Sequence, residues 1–406
     1  MKCRHCSSQL DFVCLDLATA PPSNSYLSKA QLSLPESYFP LKLLLCRSCY
    51  LVQTEDFSQR ESLFTEDYAY FSSYSSSWLA HAKHYVQTMQ QRFSLNSKSK
   101  VVEVAANDGY LLQYVQALGI PCYGIEPTRS TAAAAKQRGI EIIEEFFGES
   151  LAAQLSLEGK QADLIAANNV LAHVPDINDF VRGFATLLKS TGVATFEFPH
   201  LLNMVNLNQF DTAYHEHYSY LSLTAVKKIF EANGLYIFDV EFLPTHGGSL
   251  RVFAQAGSHH LVSDRVKECL QQEEAAGMLG DTFYLRLQNN ADRAKYALLE
   301  QLIQFKRDGL LVAAYGAAAK GNTLLNFAGI RSDLIEYVVD KNPQKQGKYL
   351  PGSRIPIVDI DYLRQHRPDR VIIFPWNLEQ EITQELSFVR EWGAQFVIAI
   401  PQLRIF

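Results

Sequence analysis

The chain has 406 residues, of which 47% are hydrophobic and 20% charged. That composition excludes disordered, collagen-like and coiled-coil classes and leaves room for two or three domains of about 100–200 residues each. A formal net charge of −6 offers no general attraction to a polyanion and argues against nucleic acid as the main partner. No run approaches the roughly 18–20 uninterrupted apolar residues of a membrane span, and the opening MKCRHCSSQL lacks the apolar core of a signal peptide, so a cytoplasmic location with no membrane partner is expected.

Two Cys-x-x-Cys pairs, Cys3 with Cys6 and Cys46 with Cys49, come first. Each pair sets two thiolates about one tight turn apart, and together they can complete a tetrahedral sulfur shell around Zn2+. Four ligands leave no open position, so the site is expected to be structural, with metal binding holding a segment poor in core residues. A redox dithiol is the rival reading, but the thioredoxin-like βαβ context is missing.

Over 100–200, the runs KVVEVAANDG, PCYGIEP, ADLIAANNVL and GVATFEFP alternate with amphipathic helical stretches. This is the pattern of a doubly wound parallel sheet, whose ligand lies beyond the carboxyl ends of its strands. Around the first strand end stand Glu103, Ala105, Asn107, Asp108 and Gly109, where small residues let a ligand approach the backbone. Glu126, ending the second strand and followed by Pro127, can accept both hydroxyls of a ribose. Asn168 and Asn169 follow a later strand, and Phe147 is assigned to the same pocket. The phosphate-cradling GxGxxG is absent and an acidic turn replaces it, which favours the cationic methyl donor S-adenosylmethionine over a dinucleotide.

Downstream lie FDTAYHEHYSYLSL and THGGSLR, and far upstream DYAYFSSYSSSW. In this order, with the cysteine pairs ahead, the whole chain resembles the sugar-nucleotide C-methyltransferases of deoxysugar pathways, typified by the NDP-hexose 3-C-methyltransferases. The resemblance implies C-methylation of a nucleoside-diphosphate keto-deoxysugar, C3 beside a 4-keto group being the expected position. Forming a bond at carbon beside a ketone needs a base and a group that stabilises the enolate oxygen. The resemblance assigns His217 as base, with Tyr214 and Glu216 positioning substrate or stabilising charge, and carbon alkylation calls for a group titrating near pH 7. His215 is expected to face the opposite way if this piece is extended. By the same resemblance His246, Gly247, Gly248, Ser249 and Arg251 approach the substrate, as does His173, and the segment holding Tyr70 and Ser75 closes over the donor. The family's first turn reads Gly-x-Asn-Asp-Gly, whereas this chain has Ala105, which can crowd the donor's carboxylate.

From about residue 300 a second α/β pattern follows, with LLVAAYG, EYVVDKNP and RVIIFPWN as strands. Gly316 and Gly321 are spaced as in a P-loop, but Asn322 stands where the phosphate-binding lysine belongs, so NTP hydrolysis is not expected. The helix start with Lys320, Asn322 and Thr323 is expected to hold the substrate diphosphate, and Trp376 and Asn377 to hold its sugar or base. The reading is thus an α/β class I methyltransferase in three parts: a zinc module with linker at 1–85, the methyl-donor domain at 86–255, and a helical bridge with a Rossmann-like sugar-nucleotide domain at 256–406. A monomer is compatible with everything above.

Overall fold

The computed structural model describes residues 1–55, 57, 71–257 and 259–406. The N-terminal part contributes β1 (Phe12–Ala20), β2 (Phe39–Leu45) and β3 (Val52–Thr54). The central part contributes β4 (Val101–Val104), β5 (Cys122–Ile125), β6 (Ile142–Ile143), β7 (Ala162–Asn168), β8 (Leu188–Pro199), β9 (Ser219–Tyr220), β10 (Tyr236–Leu243) and β11 (Ser249–Gln255). The last part holds β12 (Val312–Tyr315), β13 (Val338–Val339), β14 (Ile357–Val358), β15 (Arg370–Ile373), β16 (Gln395–Ile398) and β17 (Arg404–Ile405).

These form three sheets, ordered β1-β2-β3-β9, β10-β11-β8-β7-β4-β5-β6 and β14-β13-β12-β15-β16-β17. The second is the doubly wound sheet expected from the sequence. Strands β8, β7, β4, β5 and β6 run parallel and buried, which suits their β-branched runs, and β11 adds antiparallel to β8. The third sheet is parallel apart from β17, so both α/β patterns read from the sequence are present.

Strand β9 belongs to the first sheet although it follows β8: Val52 pairs with Tyr220 and Gln53 with Ser219. The cysteine module is therefore closed by residues from the middle of the chain. The long helix Asp281–Arg307 buries Tyr284, Leu287, Ala291, Ala294, Leu298, Leu302 and Phe305 on one face, an i, i+3/i+4 stripe. That stripe packs in one continuous core with β1, β2 and the third sheet. Among the described residues no helix is long and apolar enough to cross a membrane.

Candidate active site

The four cysteine sulfurs lie within 4.8 Å of one another, with Cys3 to Cys49 at 3.6 Å and Cys6 to Cys46 at 3.5 Å. Tetrahedral zinc with bonds of about 2.3 Å needs sulfur separations of roughly 3.8 Å, so the donor set fits Zn2+ with little movement. No position is left for substrate.

Beyond the ends of β4, β5 and β7 opens a cavity of about 170 Å³. Of the residues predicted for the donor, Ala105, Asn107, Glu126, Pro127, Phe147, Asn168 and Asn169 line it, and His173 does too. Glu126 is fixed by the backbone N–H groups of Asn107 and Thr128, at 2.9 and 2.8 Å. Burial raises its carboxyl above the ordinary range, with those donors acting in the opposite sense. The side-chain amide of Asn168 stands beside the Tyr110 hydroxyl, and the side-chain oxygen of Asn169 is buried without a hydrogen-bond partner. Such a group at a cavity wall is what a nucleoside or amino-acid ligand would satisfy, so the residues present fit S-adenosylmethionine.

Ala105, Asn107 and Asn169 adopt left-handed φ values of +61°, +48° and +54°. For alanine this conformation is strained, whereas the glycine expected there from the resemblance would adopt it freely.

Other predicted donor residues stand behind the cavity rather than in its wall. Glu103 is fully buried in β4, and burial holds its carboxyl well above the ordinary range. Asp108 accepts from the Ser73 N–H at 3.3 Å and pairs with Arg138 at 3.6 Å. Gly109 has φ +77° and no room for a Cβ, which would meet Ile140 at 2.4 Å; its role is packing. Ser75 caps the helix Ser76–Arg92, accepting from the Trp78 N–H at 3.3 Å. Its neighbour Ser72 lines the cavity instead, its N–H donating to Asn107 Oδ1 at 2.9 Å. Tyr70 lies outside the described residues.

Sequence reasoning missed Trp78 and Tyr110, which line the cavity as a stacked pair 5.8 Å apart. Aromatics at helical spacing read as core; the signal available was that Tyr110 directly follows Asn-Asp-Gly.

The YHEH segment is a turn, not a strand, with the His217 N–H donating to the Tyr214 carbonyl at 2.9 Å. The two histidines do face apart: His215 reaches the Pro40 carbonyl at 3.2 Å, while His217 Nδ1 meets the Thr212 carbonyl at 2.9 Å. That contact places the ring proton on Nδ1 and leaves Nε2 as acceptor for the Tyr214 hydroxyl at 2.8 Å. His173 packs edge-on to His217 at 4.6 Å, its Nδ1 2.8 Å from the Glu216 carbonyl.

His217 does not titrate near neutrality as expected. Burial, and then His173 and Lys320, hold it well below the ordinary imidazole value. Burial brings His173 and His246 to about 4. All three are neutral at pH 7, which keeps the His217 lone pair available.

Glu216 turns away from this pair. Its Oε1 accepts from Asn24 Nδ2 at 3.1 Å, and burial raises its carboxyl. Arg251, 3% exposed, is also turned inward. It donates to Glu197 Oε1 from Nε at 2.8 Å and Nη2 at 2.5 Å, and to Glu241 at 2.8 Å. Ser249 donates to the Thr245 carbonyl at 2.9 Å. Arg251 and Ser249 brace the site, their polar groups held inside the fold, whereas Glu216 Oε2 is buried without a hydrogen-bond partner. His246, at φ +55°, sits edge-on to Trp78 at 5.1 Å. Gly247 and Gly248 allow close approach, for a Cβ would meet Trp376 at 2.5 Å and Asn203 at 2.3 Å respectively.

Lys320 of the helix Ala319–Ala328 and Trp376 and Asn377 after β15 come together, with Trp376 against Gly247. Lys320 Nζ lies 4.1 Å over the Trp376 ring and donates to Asn377 Oδ1 at 3.0 Å. The side chains of Asn322 and Thr323 are tied to other parts of the fold. Asn322 Nδ2 donates to the Ser23 carbonyl at 2.6 Å and Thr323 Oγ1 to the Ala213 carbonyl at 2.7 Å, because the first turn of the helix Ala319–Ala328 is buried against the other two parts. Asp211, also missed, accepts from Trp376 Nε1 at 2.8 Å.

Three family models match the chain: a zinc binding domain over residues 3–64, a methyltransferase domain over 78–240, and a C-methyltransferase C-terminal domain over 244–401. The chain is 32% identical over 405 residues to the C-methyltransferase NovU of Streptomyces niveus, an alignment covering 100% of this chain and 96% of that one. Similar solved structures include the magnesium protoporphyrin IX methyltransferase ChlM of Synechocystis PCC 6803 with bound SAH, at 16% identity, 44% of this chain, 83% of that chain and a TM-score of 0.36. The CcbJ methyltransferase of Streptomyces caelestis matches at 11% identity, 44% of this chain, 90% of that chain and a TM-score of 0.35.

Proposed function

This chain belongs to the family of S-adenosylmethionine-dependent C-methyltransferases with an N-terminal structural zinc site, and on that premise we propose that it methylates a keto-deoxysugar carried on a nucleoside diphosphate, at the carbon beside the ketone. The observation that carries this reading is the neutral Tyr214–His217 pair, packed against His173 at the wall of the donor cavity. Such a pair suits a reaction that begins by drawing a proton from carbon.

His217 is the terminal proton acceptor. As the C–H proton passes to the Tyr214 oxygen, the phenolic proton moves to Nε2, and the Thr212 carbonyl holds the ring in the correct tautomer throughout. His173 and His246 surround the reacting carbon with neutral rings, and the apposed α/β parts exclude water from the enolate. When bound, S-adenosylmethionine would supply the methyl group as a sulfonium electrophile. Asn107, Glu126, Asn168 and Asn169 would hold it at the cavity wall, so that donor and acceptor react within one complex without a bimolecular search. Zinc has no part in the step.

The test is mass spectrometry of wild type and His217→Ala incubated with S-adenosylmethionine and a panel of thymidine- and guanosine-diphosphate keto-deoxysugars. The expected result is a product heavier by one carbon-bound methyl group in the wild type and its loss in the variant. Turnover of none of the keto-sugars by a wild-type protein that binds the donor overturns the substrate assignment.

A further inference from the structure

Lys320 is remote from the Tyr214–His217 pair in sequence but joined to it by an unbroken set of contacts. Thr323, one turn along the same helix, is fastened to the Ala213 carbonyl at 2.7 Å, immediately before Tyr214. The Lys320 ammonium lies 4.1 Å above the Trp376 ring. The Trp376 indole N–H donates to Asp211 at 2.8 Å, and the next residue, Thr212, presents its carbonyl to His217 Nδ1 at 2.9 Å. Ammonium, indole, carboxylate, carbonyl and imidazole thus form one connected series of contacts.

The charged and titratable groups facing Lys320 are few. Asp211, raised to about 6 by burial, draws the ammonium toward its charged form. His217 and His246 are near enough for the lysine charge to disfavour protonation of both. Trp376 and Asn377 contribute a ring face and an amide oxygen but no charge. Burial lowers Lys320 to about 8, so it is a cation at pH 7 beside a base that is neutral.

A diphosphate role for this lysine is poorly served by its surroundings. Asn322 and Thr323 are engaged elsewhere, and the Ala317 N–H at the helix start donates to the Asp340 carboxylate at 2.8 Å. That amide is thereby taken, and the cation at the same turn, Lys345, is itself paired with Asp340 at 3.7 Å and donates to the Ala317 carbonyl at 2.9 Å.

We infer that Lys320 is a catalytic residue that holds the substrate's developing enolate oxygen beside the Tyr214–His217 base. This assignment rests on the keto-substrate reading above. As the C–H proton leaves for the base, its electron pair becomes the carbon–carbon π bond, and the carbonyl π pair moves to oxygen, where the ammonium donates a hydrogen bond. The enolate carbon then bonds to the donor methyl, the sulfur–carbon pair stays on sulfur, and the carbonyl re-forms. Lys320 keeps its proton, and the base keeps the one removed from carbon.

The experiment follows solvent deuterium entering the position beside the ketone of a thymidine-diphosphate 4-keto-6-deoxyhexose, in wild type, Lys320→Met and Lys320→Arg, with thymidine diphosphate affinity and thermal melting measured in parallel. Loss of one oxyanion donor is expected to slow exchange by about 10²–10³-fold in Lys320→Met, with thymidine diphosphate affinity unchanged within about threefold. Lys320→Arg is expected to keep part of the rate. The alkaline fall in rate centred near pH 8 in the wild type should move above about pH 10 in that variant, since arginine does not deprotonate there. Exchange that survives in Lys320→Met overturns the assignment, as does a fall in thymidine diphosphate affinity that matches the fall in exchange. A wild type that exchanges no proton overturns the keto-substrate reading and this assignment together, whereas loss confined to the variants leaves that reading standing.

Discussion

Replacing Arg251 by methionine separates a bracing role from a substrate-reading one. The guanidinium is bound on both sides, to the fully buried Glu197 and to Glu241, and lies 4.8 Å over the Tyr85 ring. Methionine fills much of the same volume but leaves Glu197 facing only His81 at 2.8 Å. Breaking a buried pair from one side costs about 3–5 kcal/mol, equivalent to roughly 6–20 °C in Tm for a domain of about 150–250 residues. Removing both partners in Glu197→Leu with Arg251→Met should recover most of that loss, because no charge is then stranded. Calorimetry of wild type, the two single variants and the double variant yields the coupling directly. A pH series adds a sign check. Burial pushes the Glu197 carboxyl up, and His81 and Arg251 outweigh it, leaving its pKa below the ordinary value. A depressed carboxyl contributes stability that is complete above its unfolded pKa of about 4.3 and is lost as pH falls through the folded value. Wild type should therefore lose stability more steeply below that pH than Arg251→Met does. An Arg251→Met protein with unchanged Tm and a raised KM for the sugar would refute the bracing role.

Two further outcomes follow from the geometry. Removing zinc with a strong chelator, or Cys46→Ser, should cost at least about tenfold in methyl transfer although the metal takes no chemical step; structural zinc supplies about 10–16 kcal/mol of folding energy, and Thr54 of β3 donates to the His217 carbonyl at 3.0 Å. Full kcat in metal-free protein would remove that link. Ala105→Gly should relieve a left-handed alanine, a gain of about 1–2 kcal/mol offset by about 0.4–1 kcal/mol of added unfolded-state freedom. A small rise in Tm with tighter S-adenosylmethionine binding is expected in thermal-shift and calorimetric titrations, and a weaker donor complex would count against it.

What could be read from the sequence was what local chemistry decides. Two tight cysteine turns, a small-residue turn after β4 and an acid ending β5 carry their own geometry, so the zinc shell and much of the donor cavity wall were legible residue by residue. Partner choice across the fold was not. Arg251, Glu216, Asn322 and Thr323 have the polarity of ligand-binding residues, yet Glu197, Asn24, Ser23 and Ala213 claim them. Nothing in the spacing along the chain announces such long-range contacts. The acceptor nitrogen of His217 likewise depends on a carbonyl that only the folded turn supplies. Asp211 stood inside a quoted motif, but its connection to Trp376 becomes visible only when the second α/β sheet is docked.

The four-stranded sheet that ends in β9 has an implication for recombining such proteins. A graft that moves residues 1–55 onto another methyltransferase carries three strands and leaves behind the one that completes them, two residues after His217. The transplanted β3 would present an unpaired edge, and the recipient's active-site turn would lose its neighbour. Successful chimeras of this architecture have to exchange the cysteine region together with the loop that carries the base, so the two are inherited as a single piece even though well over a hundred residues of chain separate them.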